Sequence, residues 1–471
     1  MMPLLAALVL AGCAVIPPAQ PLPPARTAQQ ADFVAPGTAP WPEANWWQRF
    51  GDTQLNQLVT LALHNAPSLE VVRARIASAN AYVDLTHAAH GPRLDLNAQV
   101  TRQRYTENSI YPPPLAGNIY NSGRVALDFN YDFDWWGKQK AALEAALGRR
   151  RAAEAEAVGA AQTLVAAVSQ TYFQYQSIQA RAGLAKQSEL TRAELLKLQQ
   201  QRVKAGLEAG ETLEPLAADY ENARQQALAF DSAQAELLNQ LRGLVGVPGE
   251  QFPQLAARPL PQVDVGLPAN LPLNLVGRRA DIAAARAQIY AASQEVKQAK
   301  AQFYPDINLV AFIGFDAIGL GQLFKGASQM MGVSPALSLP IFNNGALAAN
   351  LRGSEAGAQL AIAQYNQTLQ SAVQEVNDAA LRLLGSIDEA KPLAGALAAR
   401  QRDEGLLAKQ VQAGLADGRS VLKARLAALA LQDLQQQLNA RAVTARVDLY
   451  KALGGGYRDE ANAAPAATAA R

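Results

Sequence analysis

VALDFNYDFD, residues 125–134, alternates without a fault: Val125, Leu127, Phe129, Tyr131 and Phe133 are apolar or aromatic, and Ala126, Asp128, Asn130, Asp132 and Asp134 between them are small or acidic. Successive side chains of a β-strand leave on opposite faces, so this spelling predicts a strand with one apolar and one polar face. Upstream, Leu94, Leu96, Ala98 and Val100 alternate with Asp95, Asn97, Gln99 and Thr101 in the same way. Two further strands are expected, one carrying Ile307, Leu309, Ala311, Ile313 and Phe315, the other running from Val333 to Ile341. Each has the length, about 9 to 11 residues, that a tilted strand needs to cross a bilayer. Four strands cannot close a barrel, and lipid does not tolerate an open edge. Several copies of the chain would then have to share one barrel; the alternative is two soluble hairpins with one face buried on helices.

The chain is written twice. PSLEVVRARIASANAYVDLTHAAHGPRLDL from Pro67 aligns with ADIAAARAQIYAASQEVKQAKAQFYPDINL from Ala280, so that Arg73 meets Arg286, Ile76 meets Ile289, Pro92 meets Pro305 and Leu96 meets Leu309. VKAGLEAGETL from Val203 matches VQAGLADGRSV from Val411, pairing Gly206 with Gly414; Gly246 pairs with Gly454. The offset shortens between the two blocks, which calls for a longer loop in the first copy, and YPPPLAGNIYNSG (Tyr111–Gly123) is the place expected for it. Each copy reads helix, two strands, long helix, turn, helix. Lys138 to about Lys204 holds no proline, and as a single helix would reach roughly 100 Å. Val165, Val168, Tyr172, Tyr175 and Ile178 recur at three- and four-residue steps, a coiled-coil-like seam. Helix turns are expected at Gly206–Gly210 and Gly414–Gly418.

The only cysteine, Cys13, sits in LVLAGCAV (residues 9–16) after an apolar run. One thiol makes neither an intramolecular disulfide nor a closed structural zinc site. Leu10-Ala11-Gly12-Cys13 resembles a bacterial lipobox, which implies a signal peptide over 1–12 and acyl chains on Cys13, although Met1-Met2 lacks the basic residues that usually open an export signal. Residues 13–44 then read as a Pro-, Ala- and Gln-rich linker, 45–250 as repeat 1 with its hairpin at 93–134, 251–276 as a linker, 277–456 as repeat 2 with its hairpin at 305–342, and 457–471 as a disordered tail. Net charge is +2 and aromatic residues make up 6% of the chain, which argues against general attraction to nucleic acid and against an ordinary aromatic-cored enzyme. No nucleophile elbow, phosphate loop or zinc-hydrolase pattern occurs, so neither catalysis nor a cofactor is expected. His87 and His90 have a spacing that can hold a metal, but with no third ligand in view they read as a surface pair and no metal is expected.

Several motifs occur in order: NWWQRFGDTQLNQLV from Asn45, YDFDWWGKQ leaving the second strand, GRRADIAAARAQI from Gly277 with Ala280 where proline is usual, AKAQFYPDINL entering the third strand, and LSLPIFNNGALAANL leaving the fourth. Together with the lipobox and the duplication they resemble the outer-membrane factor family, the TolC-like trimeric exit ducts of efflux systems, and within it the lipoprotein branch. That resemblance implies a mostly α fold with membrane β structure. Each of three chains gives four strands to a shared twelve-stranded barrel and its long helices to a coiled-coil tunnel through the periplasm. It implies a homotrimer anchored to outer-membrane lipid, a periplasmic adaptor and an inner-membrane pump as partners, drugs or toxic small molecules as cargo, and no chemical step. A periplasmic coiled-coil adaptor or scaffold lipoprotein is the alternative; it would share the anchor and the helices without needing four strands of bilayer length.

In this family the helix turns form the periplasmic mouth, so Glu208, Glu211, Glu214, Asp417, Arg419 and Lys423 are the candidate gate residues, with Arg419 or Lys423 expected to pair with Glu211 or Asp417. Threefold symmetry would make each a ring of charge; solvated turn charges are the alternative. Asp128, Asp132 and Asp134 are expected on the lumen side of the barrel. Trp135 and Trp136 are expected either in an interfacial aromatic belt or in packing where the barrel joins the tunnel.

Overall fold

The computed structural model describes residues 16–18, 21–29, 32–34, 39–263, 266, 268, 277–340 and 343–458. Cys13 and Ile341 lie outside the described residues. In chain order the elements are α1 (Thr53–Asn65), α2 (Pro67–Ala88), β1 (Arg93–Arg104), β2 (Ile119–Phe133), α3 (Lys138–Lys204), α4 (Leu213–Val245), α5 (Ala280–Ala301), β3 (Asp306–Ile318), β4 (Gln329–Ser338), α6 (Asn344–Gln412) and α7 (Gly418–Ala452). Two compact units are formed, one from Met1–Ala25, Ile76–Ala152 and Ala285–Tyr365, the other from Arg26–Arg75, Ala153–Ala284 and Asn366–Arg471.

The first unit holds the four strands in one antiparallel sheet, ordered β1-β2-β3-β4. Its register puts like with like. Leu96, Leu127, Ile313 and Met331 form one row across the sheet, and Leu94, Phe129, Ala311 and Val333 form the next. Because side chains alternate, all these residues share one face, and Asp95, Asp128, Phe312 and Gly332 share the other. Leu96 (68% exposed), Met331 (66%), Val333 (71%) and Leu337 (68%) show that none of the described residues covers the apolar face there. Helices enter the same unit through small contacts: a side chain at Gly148 of α3 would press on Ala291 of α5, and Ala299, Phe303 and Leu351 close a small core.

Two expected boundaries move. The fourth strand begins at Gln329 and ends at Ser338, earlier at both ends than Val333–Ile341, because β3 pairs from Phe315↔Gln329 to Asp306↔Ser338 and Pro340, lacking an N–H, cannot continue the ladder. The long first loop also lies earlier than Tyr111–Gly123: it runs over residues 105–118, since β1 ends at Arg104 and Ile119–Gly123 belong to β2 and pair with Arg104–Val100.

The second unit is built on aromatic packing. Trp46, Leu55, Leu58 and Val59 bury against Val165, Val168, Tyr172 and Phe173 of α3, Leu241 and Val245 of α4, and Val443, Val447 and Tyr450 of α7. The ring centroids of Trp46 and Tyr450 are 5.3 Å apart, and those of Phe50 and Phe173 are 4.9 Å apart. Asp52 caps α1 by accepting from the amides of Gln54 and Leu55, and it also accepts from the buried Tyr172 hydroxyl at 2.7 Å. The GRRAD motif has a structural role. Buried Arg279 donates to the Ala452 carbonyl at 2.9 Å and pairs with Asp281 (2.6 Å) and Glu375 (2.8 Å), tying the start of α5 to α6 and to the end of α7.

Candidate functional site

Both long helices end in the same way. Gly206 and Gly414 take φ of +71° and +72°, the left-handed conformation that glycine adopts without strain. The following amide then turns back onto the helix: Leu207 N–H donates to the Arg202 carbonyl at 3.0 Å, and Leu415 N–H to the Gln410 carbonyl at 2.9 Å. The next helix of each pair starts a few residues on, α4 after a short 3-10 turn at Gly210–Thr212 and α7 with Asp417 as its cap, accepting from Arg419 N–H at 3.0 Å. Gly-rich turns thus bring Glu208 and Asp417 to the ends of two helical hairpins.

One network joins the two turns. Arg419 Nη1 lies 2.7 Å from Glu208 Oε1 and 2.6 Å from Gln199 Oε1, while Nε lies 2.7 Å from Asp417 Oδ2. Arg202 Nε donates to Glu208 Oε1 at 2.9 Å and its other nitrogen approaches Asp417 at 3.9 Å. Gln199 completes the set by donating to Glu208 and to Thr212 Oγ1. Two carboxylates and two guanidiniums alternate, so each charge faces its opposite. The Gln199 amide, followed by Arg202 and Arg419, holds the Glu208 carboxyl below its usual range; the Arg419 side chain and its N–H do the same for Asp417, and Asp417 holds the Arg419 guanidinium above its usual value.

Of the pairs expected from sequence, Arg419 with Asp417 forms, inside one turn, and the others do not. The cross-turn partner of Arg419 is Glu208. Glu211 and Glu214 are exposed and form no ion pair among the described residues, and Lys423, also exposed, lines a small hollow beside the Arg192–Asp219 pair (3.3 Å) without joining it. The 3-10 turn after Glu208 separates Glu211 from the network. Gln199 and Arg202 were not expected there. Their one sequence signal is position: both sit within two turns of the helix-ending Gly206, on the stretch that faces the reversal.

On the polar face of the sheet, Asp128 accepts from Asn97 at 2.8 Å and pairs with Arg124 at 3.3 Å, and Arg124 lies 5.8 Å from the centre of the Phe312 ring. Asp132 is exposed on the same face. Asp134 is a correction. The strand ends at Phe133, and the Asp134 carboxylate accepts from the Gln139 and Lys140 amides at 3.0 and 2.7 Å, capping α3 instead of facing a lumen. Both tryptophans are exposed, but their contacts differ: Trp136 donates to the Pro305 carbonyl at 2.8 Å and stacks on Tyr304 (4.7 Å, 15°), whereas Trp135 meets the Phe133 ring edge-on at 6.5 Å. Among the described residues no group of three or more His, Cys, Asp or Glu is placed to hold a metal ion, and no helix is long and apolar enough to cross a membrane.

The fold has counterparts. The chain matches the family model described as outer membrane efflux protein over residues 58–247 and 271–455, one segment in each repeat. It is 31% identical to the multidrug resistance outer membrane protein MdtP of Escherichia coli K12 over 96% of this chain and 94% of that one. With MdtQ of Escherichia coli O157:H7 the identity is 32%, covering 96% of each. Among solved structures, the outer membrane protein VceC of Vibrio cholerae superposes with a TM-score of 0.80 at 32% identity, over 88% of this chain and all of that one. The outer-membrane channel OprN gives 0.83 at 26% identity, over 94% and 99%. A duplicated, mostly helical chain with four strands and this likeness along its length belongs to the outer membrane efflux protein family and is an outer-membrane channel subunit.

Proposed function

We propose that the chain acts as a homotrimer whose twelve strands close one outer-membrane barrel and whose long helices form a coiled-coil tunnel into the periplasm. It is a passive duct for drugs or toxic small molecules, driven by an inner-membrane pump through a periplasmic adaptor, and Cys13 carries the lipid that anchors it. The observation that carries this reading is the sheet. Among the described residues nothing covers the body of its apolar face, and its outer strands, β1 and β4, have one unpaired edge each. In lipid such edges are costly, and pairing β4 of one copy with β1 of the next removes them all. The cargo class follows the names of MdtP and MdtQ, multidrug resistance proteins. In this reading Glu208, Arg202, Asp417 and Arg419 hold the mouth shut, exposed Glu211, Glu214 and Lys423 form threefold rings there, and Asp128 and Asp132 line the lumen.

The test is conductance and transport together. Purified protein added to planar bilayers is expected to give stable, discrete channels. Expressed with its pump and adaptor in cells lacking their own outer-membrane duct, it is expected to restore drug resistance. Absence of both activities from correctly folded protein contradicts the proposal.

A further inference from the structure

We propose that the loop end of the sheet's apolar face binds lipopolysaccharide, with Arg102 and Arg104 taking the phosphates of its lipid A and the loop residues Leu320 and Phe324 meeting its acyl chains. The inference rests on the barrel proposed above, whose helices lead into the periplasm, so that the loops joining β1 to β2 and β3 to β4 face the outside.

The two faces of the sheet divide its charge. Asp95, Asp128, Asp132, Asp306 and Asp316, every carboxylate of the four strands, fall on the polar face. Arg102 and Arg104 are the only charged residues that the described strands place on the apolar face, and both follow Leu94, Leu96, Ala98 and Val100 along β1. Their level is set by register. Arg102 pairs with Asn121, twelve residues from Phe133, where β2 gives way to the helices. At about 3.3 Å per residue and a tilt of about 40°, Arg102 stands roughly 30 Å above Phe133, just beyond an apolar band about 25 Å tall. That is the height of the phosphates of an outer leaflet.

The two side chains are available to a ligand. Arg102 is exposed, and its guanidinium has no partner among the described residues. Arg104 Nε donates to the Gly117 carbonyl at 3.1 Å, which fixes the group at the end of the strand; its contact to exposed Glu107 is 3.4 Å, and the side chain stays 67% exposed. Such an exposed pair holds weakly and yields to a phosphate, which guanidinium forks bind in two-point fashion. Beside them the β3–β4 loop folds onto the apolar face. Gly319 N–H donates to the carbonyl of Asn121, the partner of Arg102, at 2.6 Å, and a side chain at Gly123 would press on Leu320 and Leu323. Leu323 is buried there, whereas Leu320 and Phe324 are exposed, Phe324 with its ring 5.7 Å from that of Phe315 on the apolar face. Two guanidiniums next to two uncovered apolar side chains complement a lipid that carries phosphate monoesters directly above several acyl chains. In an outer leaflet that lipid is lipopolysaccharide.

Full-length protein, folded and stripped of lipid in detergent, tests this when titrated with diphosphorylated lipid A or with phosphatidylglycerol, the bound lipid being counted by native mass. Lipid A is expected to stay on the wild type and to raise the heat-dissociation midpoint of its oligomer by several degrees. Arg102→Gln/Arg104→Gln is expected to bind it about tenfold more weakly and to lose that shift. Arg102→Gln alone keeps Arg104 on the Gly117 carbonyl and is expected to lose part of it. Equal binding by wild type and both variants overturns the site, as does a wild type that retains no lipid A. Phosphatidylglycerol binding as tightly as lipid A also overturns it, since any anionic lipid would then serve. Loss of lipid A from a double variant that still conducts separates this site from the duct. A wild type that forms no oligomer removes the duct reading itself, and this site with it.

Discussion

Arg419 at the start of α7 reaches Glu208 beyond the end of α3 at 2.7 Å, and this is the shorter of the two guanidinium bridges between the turns of the two repeats, the other being Arg202 to Asp417 at 3.9 Å. Arg419→Ala removes this bridge and the contact to Asp417 together. In bilayers its closed-state conductance is expected to rise several-fold, with a smaller rise for Glu208→Gln and partial recovery when Glu208→Arg is combined with Arg419→Glu. Unchanged conductance in all three variants places the gate elsewhere.

Acid should loosen the same network. Glu208 and Asp417 are held below their ordinary values of 4.5 and 3.8, so the stabilisation they give is complete above those values and lost as pH falls through the depressed ones. Arg419, whose guanidinium Asp417 holds above its usual value, stays charged throughout. Conductance titrated downward from neutral pH is expected to stay flat into the ordinary carboxylate range and to rise only below it. A rise centred near neutral pH would point to a histidine and not to this pair.

The two faces of the sheet predict opposite responses. Leu96→Arg puts a charge on the apolar face, at a cost of about 2–4 kcal/mol if it lies near mid-bilayer, and is expected to cut the yield of assembled barrel sharply. Asp132→Asn on the polar face is expected to leave assembly intact. Heat-resistant oligomer on gels reads both.

In the second unit, Tyr172→Phe keeps the packing of a fully buried ring and deletes its bond to Asp52. Losing a hydrogen bond to a charged group costs about 1.5–3 kcal/mol, and thermal melting in detergent is expected to show it as a lower midpoint with unchanged helix content. Asp52→Ala is expected to cost more, since it also removes the α1 cap and leaves the buried phenol without its acceptor.

What sequence reveals here depends on whether the determinant is local. Strands spell their two faces residue by residue, so Leu94–Val100 and Val125–Phe133 were legible, and Gly206 and Gly414 announced the turns because few other residues take positive φ. Strand ends were less so: whether β4 starts at Gln329 or Val333 is settled by its pairing with β3. Asp134 continues an alternation that the backbone has already abandoned for a helix cap. Glu208, and not Glu211, meets Arg419 because of how two distant hairpins approach, a fact no window of sequence contains. Asn366 and Asn377 look like ordinary amides on a long helix, yet Asn366 accepts from the Arg26 amide and Asn377 from the Val34 amide, each more than 300 residues away. Pro392 would be read as a helix stop, yet α6 runs through it from Asn344 to Gln412.

The central claim is that an open four-stranded sheet is completed by other copies of the same chain. Native mass of the protein extracted from outer membranes in mild detergent tests it most directly. Three chains in one particle is the predicted result, with each chain heavier than its processed sequence if Cys13 is acylated. A folded monomer with its four strands intact would contradict shared closure, and with it the duct.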